Sequence, residues 1–187
     1  MFKKEIRVIG LDDSPFNKFS KEDILVVGVI MRGGLYVDGV LSTKVKVDGS
    51  DSTKKFIKMI NSCKFKPQLQ CIFLNGIAVG GFNVVDVNEL NKKTGLPVIV
   101  IIRKIPDIEK IKETLIKIKR KSKIKLIEKA GKIIPIGDVY VQIIGINEED
   151  SSKILKVVCT RSLIPEPLRL AHIIASGIVK GESRGRA

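Results

Sequence analysis

The stretch Ile6-Arg7-Val8-Ile9-Gly10-Leu11-Asp12-Asp13-Ser14-Pro15-Phe16 constrains the rest of the chain. Its first half is an apolar run rich in β-branched residues, which favours a buried strand. The run stops on two adjacent carboxylates, and Ser14-Pro15 breaks it. Side chains alternate along a strand, so Asp12 and Asp13 point to opposite faces. One of them therefore sits where a core strand meets solvent. An unpaired charge is costly there, whereas a carboxylate that holds a hard cation suits the place. An Asp-Ser-Pro turn at a strand end is the simpler reading of the same residues.

A short polar link leads to Asp23 to Met31, which reads as a second buried strand, and Arg32-Gly33-Gly34 is a tight turn. Leu35 to Val47 follows as a third strand, with Asp38-Gly39 marking a bulge or bend. Their short spacing makes these strands an antiparallel meander. Asp48-Gly49-Ser50-Asp51-Ser52-Thr53 signals a helix start. The helix puts Phe56, Ile60 and Cys63 on one face, and Pro67 ends it. Leu69 to Leu74 is a short buried strand that runs into a glycine-rich loop, Asn75-Gly76-Ile77-Ala78-Val79-Gly80-Gly81-Phe82-Asn83. A helix over Asp86 to Lys93 precedes Val98 to Ile102, an apolar strand of the kind covered on both faces in a parallel sheet. Pro106 opens the next helix, where Ile108, Ile111, Leu115 and Ile118 recur at helical spacing. Val139 to Ile144 is another strand, and Asn147 caps a helix to Val158. Pro165-Glu166-Pro167 opens a terminal helix to about Val179, and the tail from Gly181 to Ala187 is expected to fray.

No internal repeat or linker divides the 187 residues, so the chain reads as one domain, 1–187. No apolar run approaches the roughly 18 residues of a membrane span. The first strand begins too early to leave room for a signal peptide, and the expectation is a cytoplasmic protein with no membrane partner. Cys63, Cys71 and Cys159 lack metal-binding spacing and read as buried free thiols. Charge carries more information: 34 Lys+Arg against 20 Asp+Glu give a net +14. Such a balance points to a polyanion, with phosphate contacts supplying affinity. A Lys/Ile-rich bias with lysines on a solvated face is the competing reading. The excess is concentrated from Arg103 to Lys132, with 12 basic residues against four acidic. Lys117, Lys119, Arg120 and Lys121 are the candidate nucleic-acid contacts there.

Three antiparallel strands, a helix, then strand-helix-strand-helix predict an α/β fold. The meander joins parallel strands in a mixed sheet with helices on both faces. That order matches the ribonuclease H-like fold, whose central first strand carries the first catalytic acid. Gly10-Leu11-Asp12-Asp13-Ser14-Pro15-Phe16 is similar to the first-strand motif of endonuclease V, where glycine, an apolar residue and the catalytic Asp occur in succession. Asn75-Gly76-Ile77-Ala78, followed by Thr94-Gly95-Leu96-Pro97-Val98-Ile99-Val100, resembles that family's loop, helix and proline-led strand. Val47 to Thr53, Gly80-Gly81-Phe82-Asn83 and Pro165-Glu166-Pro167-Leu168-Arg169-Leu170-Ala171-His172 look like the archaeal endonuclease dU family, nearly end to end. The resemblance implies a Mg²⁺- or Mn²⁺-dependent endonuclease that acts on DNA containing deaminated bases of the deoxyuridine type, in DNA repair. RNA is the alternative nucleic acid. In one respect the chain departs from endonuclease V: Asn75 stands where that family places an Asp, and only Asp48 or Asp51 can answer its second acid.

Phosphodiester hydrolysis in this fold needs carboxylates that hold one or two divalent ions. The candidate ligands are Asp12 or Asp13 from the first strand and Asp48 or Asp51 ahead of the first helix, with Asn75 offering a neutral oxygen. Helix capping explains Asp51 equally well. Glu166, fixed between two prolines, suits a fourth ligand or an arginine partner. His172, the only histidine, lies three residues after Arg169 on the terminal helix and suits a proton shuttle, a phosphate contact or plain packing. Arg161 and Arg169 suit bidentate phosphate contacts. Gly80 and Gly81 let the backbone approach a ligand, and Phe82 can stack on a base or fill the core. The rival function is a non-catalytic nucleic-acid-binding protein that keeps the fold without the acids. Convergence of Asp12 or Asp13, Asp48 or Asp51, and Glu166 would separate the two.

Overall fold

The computed structural model describes residues 5–17 and 22–183. The N-terminal lead-in at 1–4, most of the polar link at 18–21 and the end of the expected tail at 184–187 lie outside them. The first strand, β1 (Arg7–Asp13), is central in a seven-stranded sheet. Beside it on one side run β2 (Asp23–Arg32) and β3 (Tyr36–Lys46), the antiparallel meander. On the other side lie β4 (Cys71–Asn75) and β7 (Val98–Ile102), both parallel to β1, then β9 (Val139–Ile144), antiparallel to β7, and at the edge β8 (Ile134–Ile136), antiparallel to β9. The small β5 (Ala78–Val79) and β6 (Asn83–Val84) form a separate hairpin.

Alternation along β1 sorts the core. Ile9 and Leu11 pack on the side of α1 (Ser52–Asn61) and α2 (Val87–Thr94), with Phe56, Ile60 and Leu90. Val8 faces α5 (Glu148–Val158) and α6 (Glu166–Lys180), among Phe73, Ile154, Val158 and Leu168. Helices α3 (Ile108–Lys117) and α4 (Ser122–Lys129) cover the hairpin through Leu115 and Ile127, which pack with Val84. No helix among the described residues is long and apolar enough to cross a membrane.

The bulge at Asp38-Gly39 is present. Ile30 pairs with Gly39 and Met31 with Val37, so Asp38 is the extra residue. Its carboxylate accepts from Arg7 Nε at 2.7 Å and Arg32 Nε at 3.1 Å, which satisfies the charge that the bulge turns inward. Other elements differ from expectation. Helix α1 stops at Asn61, so Cys63 reaches the core from the turn that follows. The glycine-rich segment contains the β5–β6 hairpin. The basic helix breaks in two because Lys119 takes a left-handed φ of 58°. Lys119 N–H then bonds Ile116 O at 3.0 Å and Arg120 N–H bonds Leu115 O at 2.7 Å, a Schellman stop without its usual glycine.

Gly10 sets the seating of α6. A Cβ at Gly10 would lie 2.6 Å from both Leu168 N and the Pro167 carbonyl carbon, so the first turn of α6 rests on bare β1 backbone. Gly10→Ala is therefore expected to destabilise the protein by about 3 kcal/mol, the upper part of the overpacking range. For a chain of this size that lowers the melting temperature by roughly 10 °C. An unchanged melting curve would contradict so close an approach.

Candidate active site

Parallel pairing of Leu11 with Leu74 brings the next residues, Asp12 and Asn75, side by side at the C-terminal ends of β1 and β4. Asp12 is 3% exposed. Asn75 Nδ2 donates to both Asp12 oxygens at 3.2 Å, and the Asp13 backbone N–H donates to Oδ1 at 3.1 Å. His172 Nδ1 lies 3.1 Å from Oδ2. An ionised carboxylate only accepts, so this contact puts the histidine proton on Nδ1. Matched rises bring the histidine there. Four residues of helix from Leu168 to His172 advance about 6 Å, and two of strand from Gly10 to Asp12 advance about 6.7 Å.

Asp13 points to the other face, as alternation requires, and accepts the Gly80 N–H at 2.6 Å. Burial pushes its carboxyl up to about 6, the Gly80 N–H opposes the rise, and the Asp12 charge adds to it. Asp48 has a left-handed φ of 52°; its N–H donates to Gly80 O at 2.8 Å and its Oδ1 accepts the Phe82 N–H at 2.7 Å. Asp51 does not cap α1 with its side chain. Its Oδ1 instead accepts Asn83 Nδ2 at 2.7 Å and Lys46 N–H at 3.2 Å. Both acids thus clasp the hairpin to the loop after β3.

Of the two readings of Glu166, a fourth ligand or an arginine partner, the structure shows the arginine partner. Its Oε1 accepts the Arg161 N–H at 3.0 Å, and its Oε2 lies 2.8 Å from Arg169 Nε and 2.7 Å from Nη2. The residue is 2% exposed, and the arginine neutralises it. The expected convergence of Asp12 or Asp13, Asp48 or Asp51, and Glu166 is therefore not formed. Among the described residues, no group of three or more His, Cys, Asp and Glu side chains is placed to hold a metal. The donors fit a single hard cation that keeps most of its shell as water and phosphate oxygen. Asp12 would supply a carboxylate and Asn75, with its amide turned over, an oxygen. They do not fit a preformed two-ion carboxylate cluster.

Phe82 is half-buried against the cluster of Leu115 and Ile127. It lines an apolar cavity of about 420 Å³ beside Asn75, with Ile77, Ile101, Ile127 and Arg103. Lys117, Lys119, Arg120 and Lys121 are exposed around the α3–α4 break, and Arg161 is exposed at the mouth of α6. Sequence reasoning missed Lys123, which is 3% exposed. Its ammonium donates to Asp48 O at 2.9 Å, Phe82 O at 2.6 Å and Gly49 O. Burial pulls its pKa down, Arg120 adds to the drop, and Asp48 and Asp51 oppose it.

A family model described as Endonuclease dU matches residues 4–179. The UPF0215 protein of Methanothermobacter thermautotrophicus is 50% identical over 193 residues, covering 99% of this chain and 93% of its own. That of Pyrococcus furiosus is 46% identical, covering 97% and 96%. The crystal structure of a protein of unknown function from Archaeoglobus fulgidus superposes with a TM-score of 0.86 at 39% identity, over 92% of this chain and 97% of that one. Endonuclease V from Ciona intestinalis, in complex with a 24mer DNA containing an inosine followed by a ribo-adenosine, gives 0.61 at 18% identity, over 95% and 87%. The sheet and its helices are therefore those of the ribonuclease H-like endonuclease V fold.

Proposed function

The chain belongs to the endonuclease dU family, and on that premise we propose that it is a divalent-metal-dependent endonuclease that cleaves DNA at deaminated bases of the deoxyuridine type. It would act as one cytoplasmic domain in DNA repair. The observation that carries this reading is the buried Asp12 carboxylate, held by Asn75 and His172 at the strand ends of a nuclease-family fold. A bound Mg²⁺ or Mn²⁺ would polarise the scissile phosphate and lower the pKa of an attacking water. Asp12 and Asn75 are the residues to hold it. Asp12 also fixes the ring of His172, which holds a proton on Nδ1 for the reaction. The apolar cavity beside Asn75 falls in the size range of small-ligand sites, and an extruded base can stack there on Phe82. Arg161 and the lysines of the α3–α4 break supply phosphate contacts without sequence preference.

A specific observation favours a second reading. Glu166 spends both oxygens, and Asp48 and Asp51 each spend Oδ1, on structural hydrogen bonds, which suits a nucleic-acid-binding protein without catalysis. Labelled duplexes bearing one uracil, one hypoxanthine or neither, with RNA counterparts, separate the two. The nuclease reading expects nicks confined to the lesion duplexes in Mg²⁺ and none in chelator. Binding to every duplex with no cleavage under any condition supports the second reading.

Reversing Lys117, Lys119, Arg120 and Lys121 to Glu is expected to weaken DNA binding equally across sequences. The slope of log affinity against log salt should flatten by about 0.9 for each phosphate that the variant no longer neutralises. Titration at three salt concentrations measures it. An unchanged slope would assign these side chains to a solvated face.

A further inference from the structure

Lys123 stands out among the basic residues of its segment because it is buried while Lys117, Lys119, Arg120 and Lys121 are exposed. Its three ammonium donors meet three backbone carbonyls from two separate loops, Asp48 O and Gly49 O after β3 and Phe82 O in the hairpin. These loops lead to the strand ends. Asp48 N–H donates to Gly80 O at 2.8 Å, Asp48 Oδ1 accepts the Phe82 N–H, and the Gly80 N–H donates to Asp13 at 2.6 Å. The geometry has little slack: a Cβ on Gly81, which has a φ of 82°, would collide with Asp48 Oδ1.

We propose that Lys123 is a positioning residue for the strand-end site, its ammonium clasping the two loops so that the Gly80 N–H stays aimed at Asp13. Three part-buried carbonyls facing one another repel unless a cation or several N–H donors lie between them, and among the described residues Lys123 is the cation at their meeting point. Because it projects from α4, the clasp also joins the basic α3–α4 pair to the cleavage centre. A nucleic acid gripped by Arg120 and Lys121 thereby meets a hairpin already set against β1. The role in cleavage rests on the nuclease reading above; the role in the hairpin does not.

The test replaces Lys123 with Met, which matches its length without donors, and reads amide hydrogen exchange residue by residue. The expected result is a loss of protection at Gly80 and Phe82 by tenfold or more, with the β1 amides of Ile9 and Leu11 unchanged. Lys123→Gln, which keeps two N–H donors on a shorter arm, should recover part of that protection and also serves if the Met variant does not fold. In Lys123→Ala, added methylammonium should restore protection and sodium should not. On a cleavable lesion duplex, kcat should fall tenfold or more with KM nearly unchanged. Unchanged protection at Gly80 and Phe82, or an equal loss across the whole chain, would overturn the proposal. So would Gln and Met variants that behave alike. If the wild-type protein cleaves nothing, the nuclease reading falls while the exchange result still decides the clasp.

Discussion

Replacing Asp12 with alanine is expected to lower lesion-dependent cleavage by about 10³-fold, within the range lost when a group that sets up proton transfer is removed. The carboxylate gathers four hydrogen bonds: two from Asn75, one from the Asp13 backbone and one from His172. Without it the Nδ1–H of His172 loses the acceptor that orients the ring toward Asp12 and fixes its proton there. A divalent ion held there would also lose its carboxylate. Asparagine at position 12 is expected to fail as badly, because its amide N–H₂ would face the amide of Asn75. Stability should move little, within about 1–2 kcal/mol. Three donor groups lose an acceptor, which destabilises, while Asp13 is freed from a neighbouring charge, which stabilises. Nicking assays on a uracil duplex, with melting curves of both variants, test this. A variant that folds and retains more than a tenth of wild-type activity would remove Asp12 from the centre.

Much of that centre was legible in the chain, for identifiable reasons. An apolar run ending in two carboxylates has one geometric consequence, opposite faces, and Asp12 and Asp13 obey it. Asn75 could be placed through the resemblance to endonuclease V, which has an Asp at the corresponding position, and the parallel pairing of the strands ending in Asp12 and Asn75 brings the two together. The bulge at Asp38 followed from a glycine inside a strand pattern. What stayed hidden depends on backbone partners, which carry no sequence signal. Asp48 or Asp51 reads as a candidate ligand because the resemblance puts a second acid ahead of the first helix, yet Oδ1 of each meets N–H groups, of Phe82 for Asp48 and of Lys46 and the Asn83 amide for Asp51. Glu166 had its arginine three residues away in the same motif, at a spacing that favours pairing, and the pairing won. Lys121 and Lys123 are identical in type and two positions apart. Only the unsignalled left-handed turn at Lys119, which starts α4 anew, decides that the first is solvated and the second buried.

Asp13→Asn is expected to raise the melting temperature at pH 8 by roughly 5 °C and to leave it unchanged at pH 4, both in the presence of chelator. Burial moves the Asp13 carboxyl from its ordinary 3.8 up to about 6, against the Gly80 N–H and with help from Asp12. Between those values the folded protein holds a proton that the unfolded chain has released, so stability falls as pH rises through the window. Above about pH 6 the full penalty applies, about 3 kcal/mol at 1.36 kcal/mol per pKa unit. Asparagine carries no charge to desolvate, and its Oδ1 can still accept from Gly80. The new N–H₂ must find a partner, which reduces the gain to about half; for this chain length each kcal/mol corresponds to about 2–4 °C. Below pH 4 both side chains are neutral and the difference closes. Melting curves across this range, paired with carboxyl titration by NMR, measure both halves of the argument. Equal stabilities at pH 8 would mean that the donors around Asp13 already satisfy its charge. A difference that opens above about pH 4 and is complete by about pH 6 would mean that Asp13 enters neutral solution as an anion under strain beside Asp12, a pair of charges that an arriving cation relieves.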